Sequence, residues 1–143
     1  MKKNTIKISV VLLVVLFGIG ICFADSDIPN LVGTWNTQAE GAVMLKGATH
    51  GAKTHHRGEF STLKGEWIVT SQQGRVLHGT FKSPRASEKF VAVIAMDNKS
   101  LYHADEDGFL EGQIFNRDQI NIIYRHSGAS DTVVAVGTMM RKK

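Results

Sequence analysis

Cysteine is nearly missing from this 143-residue chain, and its single copy, Cys22, lies in the apolar N-terminal stretch. A disulfide framework within the chain is therefore excluded, and packing alone must hold the remainder together. Proline occurs twice, which leaves little room for polyproline segments or stiff linkers. Helical periodicity is absent as well: no stretch repeats apolar residues at three- and four-residue intervals. Gly-x-Ser-x-Gly, His-Glu-x-x-His and a phosphate-binding glycine loop are all lacking, and no cysteine nucleophile lies past residue 24. The expectation is that the protein is not an enzyme. Internal repeats and low-complexity tracts are also missing.

The N-terminus has its own chemistry. Three lysines in MKKNTIK precede an uncharged run over residues 8–21, then Cys22 and Ala24 place small residues before Asp25. This pattern reads as a cleaved signal peptide over 1–24; the run is short of the roughly 20 residues a spanning helix needs. The lysine-led form is bacterial in type, so export to the periplasm or the medium is expected, with no stable membrane anchor after cleavage. Because Lys2, Lys3 and Lys7 leave with the signal, the 17 basic residues become 14 against 13 acidic ones. A balance of +1 offers no electrostatic case for nucleic acid.

Residues 25–143 read as one β domain. Short blocks rich in Val, Ile, Phe and Thr alternate with turn signals: LVGTWNT (31–37), GAVML (41–45) as a short separate strand, EWIVTSQ (66–72), RVLHGTFK (75–82), EKFVAVIAM (88–96), SLYHAD (100–105), GFLEGQIF (108–115), QINIIYRH (119–126) and DTVVAVGTMMR (131–141). EFSTLKG is ambiguous and extends the segment after it if it is strand. Starts every 9–13 residues and short connections after residue 65 predict a meander. A meander of this length removes its edges by closing on itself, so the expected fold is all-β, an eight-stranded antiparallel up-and-down barrel.

In LVGTWNT, Leu31, Gly33, Trp35 and Thr37 share one face. The Gly-Thr-Trp resembles the first-strand Gly-x-Trp of the calycin superfamily, and within it the avidin/streptavidin branch or the lipocalins. The resemblance implies a barrel stoppered by Trp35, with a basic residue of the last strand, here Arg141, packed over the indole. Biotin is not implied. Asn36, Thr37 and Gly41 replace the avidin aromatic, Asn and Ser, and Thr138, Met139 and Met140 follow Val136-Gly137 where an Asp belongs.

A barrel of eight strands is either filled by side chains or holds one small ligand. Ile120, Ile122, Tyr124 and His126 share a face; so do Leu101, His103 and Asp105; so do Phe109, Glu111, Gln113 and Phe115. The candidate ligand-binding residues are Trp35, Thr37, Trp67, Glu111, Gln113, Tyr124 and His126, a mouth of polar groups above apolar walls. Ordinary alternation favours the alternative, in which Glu111 and Gln113 face solvent. HGAKTHH supplies His50, His55 and His56 as candidate metal ligands, without the carboxylates or cysteines of a four-ligand site. ADEDG (104–108) reads as an acidic turn without EF-hand spacing. Strands 88–96 and 131–140 are apolar on both faces, which predicts a homo-oligomer.

Three functions follow as expectations. The first is an exported barrel that binds a small, mainly apolar molecule and needs no cofactor. The second is a structural barrel that assembles through its outer strands. The third is a metal-handling protein using the 50–56 loop.

Overall fold

A computed structural model of the chain describes residues 28–46 and 60–143. The expected signal segment and the candidate ligands His50, His55 and His56 lie outside the described residues. Eight strands follow one another: β1 (Gly33–Leu45), β2 (Phe60–Gln73), β3 (Val76–Lys82), β4 (Ser87–Ile94), β5 (Ser100–Ala104), β6 (Gly108–Asn116), β7 (Gln119–Ser127) and β8 (Asp131–Arg141). Each pairs antiparallel with its neighbours in sequence, and β8 returns to β1, closing an all-β barrel in meander order. Among the described residues no helix is long and apolar enough to cross a membrane.

One boundary differs from the sequence reading, and one ambiguity is resolved. GAVML is not a separate strand; it is the second half of β1, which runs unbroken from Gly33 to Leu45. The reason is parity: Trp35, Thr37, Ala39 and Val43 are all buried, so the alternation passes straight through Gln38-Ala39-Glu40. Similarly, EFSTLKG is strand from Phe60 onward and extends β2. The tight turns obey local chemistry. Gly74, at φ 56°, begins the β2–β3 turn, and Asp97 accepts the amides of Lys99 and Ser100 at 2.8 Å each before β5.

The strand ends define two ends of the cylinder. At one, Trp35 is fully buried among Leu31, Leu77, Ile94, Leu101, Ile120 and Met139. Its indole N–H donates to the Leu31 carbonyl at 2.9 Å, and its ring meets Trp67 edge-on at 6.5 Å. Arg141 lies over the same indole at 4.2 Å, donating to the carbonyls of Asn30, Val32 and Arg117. Gly33, at φ 127°, takes a backbone conformation beside the Asn30 and Val32 carbonyls that other residues rarely adopt. That end is plugged.

The two-sided strands resolve simply. Phe90, Ala92, Ile94 and Val133 face inward, while Val91, Val93, Val134 and Val136 stand exposed on the outer wall.

Candidate functional site

Toward the other end the barrel is not filled. A cavity of about 90 Å³ opens between the inner faces of β1 and β8 on one side and those of β2 to β7 on the other. Its existence follows from side-chain size. The β1–β8 seam pairs Ala39 with Gly137 and Gly41 with Ala135, so one inner wall carries almost no side-chain volume at that level. Trp67 and Met139 form the floor, and Leu63, Leu110, Ile122 and Val133 complete the apolar walls.

The floor is held by a polar chain inside the core. Trp67 stacks on Phe90 (4.7 Å, 7° between planes), which in turn stacks on His103 (4.6 Å). The Trp67 indole donates to His103 Nδ1 at 3.1 Å. Because Nδ1 accepts, the ring proton sits on Nε2, which donates to Asp105 at 3.0 Å. Burial raises the Asp105 pKa, but the hydrogen bond from His103 and the amides of Gly108 and Asp107 outweigh it and hold the carboxyl below its usual value.

The rim is acidic. Glu88, Asp105 and Asp107 bring carboxylate oxygens within 4.8 Å of one another. Tyr124 donates its hydroxyl to Asp107 at 3.0 Å, and burial first, then the neighbouring acids, pushes its pKa up. Clustered acids occur commonly without an ion, so no metal is assigned. His126 completes the rim. Its Nδ1 faces the Asp107 carbonyl at 2.6 Å and its Nε2 faces buried Asp131 at 2.8 Å. Two acceptors require two protons, so the ring is an imidazolium. Desolvation opposes this, but both partners and the charges of Asp107 and Asp131 raise its pKa.

Glu88 is pushed from 4.5 up to about 7, by burial first and then by Asp107, Asp105 and Glu106, with His126 opposing. The unfolded chain releases this proton near 4.5 and the folded one near 7, so between these values rising pH destabilises the fold. His126 acts in the same direction: its contribution is complete below 6.5 and lost as pH rises through its higher folded value. Urea midpoints are therefore expected to fall from pH 5 to pH 9. Glu88→Gln should remove the fall between 4.5 and 7 and be more stable at pH 8 by about 1 kcal/mol, the shift being discounted for a half-exposed group. A midpoint that rises over this window contradicts both assignments.

Of the residues singled out from sequence, Thr37, Trp67 and Tyr124 line the cavity. His126 is buried at the rim, and Trp35 lies below the floor. Glu111 and Gln113 do not belong to the site. They are exposed on the outer face of β6, where Glu111 meets Arg125 of β7, while Leu110 turns inward. The reason is packing: Leu110 pairs with His103, and Gly112 makes room for Leu101 and Ile120, so β6 presents its even-numbered residues to the core. Glu88 was not foreseen, although it shares parity with Phe90, Ala92 and Ile94.

Among the described residues, one polar atom that lines the cavity has no partner. Thr37 is 5% exposed, and its hydroxyl makes no hydrogen bond. Comparison of the chain with protein-family models, curated proteins and solved structures finds no match.

Proposed function

We propose that this barrel is an exported, non-enzymatic binding protein that holds one small, mainly apolar molecule in the cavity above Trp67. The observation that carries the reading is the unpartnered Thr37 hydroxyl among the apolar walls of the cavity, below its acidic rim. A buried hydroxyl without a partner costs about 1–3 kcal/mol, a cost a ligand atom removes. The two histidines beside the cavity favour binding over catalysis, since both are engaged: His103 with Trp67 and Asp105, His126 with Asp131 and Asp107. Export is supported by the lysine-led apolar segment, and the calycin likeness by Trp35 beneath Arg141.

Native mass spectrometry of the protein tests this. A retained small organic mass is expected, and Ala135→Phe, which fills the β1–β8 wall, should abolish it. Thr37→Val should weaken retention yet raise unfolding stability by about 1 kcal/mol, since it deletes an unsatisfied group. Loss of stability in Thr37→Val, with no bound mass in the parent, would sink the reading. A second reading, assembly through the outer wall, is favoured by exposed Ile123, Val134 and Val136. Bare oligomers in the same spectrum are its signature.

A further inference from the structure

The cavity is apolar along its depth and acidic at its opening. Inward parity on β4 takes Ile94, Ala92 and Phe90 into the core and then sets Glu88 inside the rim; β5 does the same with Leu101, His103 and then Asp105. Inward carboxylates at a barrel rim lose hydration, which apolar or neutral residues there avoid. Glu106 and Asp107 on the adjoining turn add to the negative field. The nearby cations offset only part of it: the His126 imidazolium is paired with buried Asp131, Lys82 and Lys89 are exposed, and among the described residues only one Lys or Arg, Arg85 on an exposed turn, lines the cavity. Within the cavity, the buried Thr37 hydroxyl is an unmet hydrogen-bonding group.

Resting on the small-molecule reading above, we propose that the ligand is a small amino alcohol or similar two-headed amine: an ammonium at the rim between Asp105 and Glu88, a short hydrocarbon chain against Leu110, Ile122 and Ala135, and a polar atom on Thr37. Asp105 keeps its charge and is fixed in place by His103, so it is a prearranged counter-ion. Glu88, facing Asp105, Asp107, Glu106 and His126, holds its proton near neutrality and can give it up when a cation arrives. The acids thus specify the sign of the head group, and the hydroxyl specifies that the far end is polar as well.

The test compares three probe types with chains of four to six carbons: the ω-amino alcohol, the α,ω-diol and the ω-hydroxy acid. Each is titrated into the protein while the methyl signals of Ile122 and Met139 are followed by NMR. The amino alcohol is expected to bind about ten-fold more tightly than the diol, with the hydroxy acid weakest. In Glu88→Gln the advantage of amine over diol should shrink to below about three-fold. If the diol equals the amine, or the hydroxy acid exceeds it, the amine assignment is overturned and the cavity reading stands. If no probe of any charge shifts either methyl, both are overturned.

Discussion

Trp35→Ala is expected to destabilise the protein by about 4 kcal/mol, the range for deleting a buried indole. Three contacts are lost together. The ring no longer fills the base among Leu31, Leu77 and Ile120, the edge-on contact to Trp67 disappears, and the Leu31 carbonyl loses its donor. Arg141 then has nothing beneath it, although its three carbonyl acceptors remain. Arg141→Ala should therefore cost less than the tryptophan change, about 2 kcal/mol, because it removes a partly desolvated cation–π contact and charge-assisted hydrogen bonds without opening a large hole. Urea unfolding followed by the fluorescence of Trp67 measures both. The two losses should not add in the double variant, since the residues are in contact. A Trp35→Ala loss below about 1.5 kcal/mol would mean that the base is held by the surrounding aliphatic residues instead.

Much of this base was legible in the sequence through the calycin resemblance, which implied a basic residue of the last strand over the first-strand indole. Trp35 does pair with Arg141 across the β1–β8 seam, because β8 returns antiparallel to β1. The barrel itself followed from turn spacing and missing helical periodicity. The cavity was harder to read because it depends on which parity points inward. In β6 both parities carry two large apolar residues, Phe109 and Phe115 against Leu110 and Ile114, so hydrophobicity alone does not choose between them. The choice is made by neighbours: the small Gly112 is needed beneath Leu101 and Ile120. Glu88 was hidden for another reason. A charged residue at an inward position violates the pattern by which inward positions are recognised, and its company with Asp105 and Asp107 exists only after β4, β5 and the following turn come together. The small wall was invisible for a similar reason. Ala39, Gly41, Ala135 and Gly137 lie nearly a hundred residues apart in two pairs, and become one surface only on closure.

Gly137→Ala should cost about 3 kcal/mol, a large penalty for one methyl group, because the strands of the closing seam approach too closely to admit it. A Cβ at position 137 would stand 2.6 Å from Ala39 Cα and 2.7 Å from Ala39 Cβ, and would run into the backbone oxygen of Gln38. None of these is the movable end of a flexible side chain, so relief requires β1 and β8 to separate. That seam runs from Trp35 opposite Arg141 to Leu45 opposite Asp131, and it alone turns the meander into a cylinder. The same approach shapes the thin wall of the cavity, so ligand retention should fall along with stability. Val136→Ala, one residue away but on the exposed outer face, should change stability by no more than about 0.5 kcal/mol. Urea unfolding separates the two variants, and amide exchange shows where the damage is: in Gly137→Ala, protection should drop first in β1 and β8. Equal small effects at 136 and 137 would show that the seam tolerates a side chain, and the small-residue origin of the cavity would have to be abandoned.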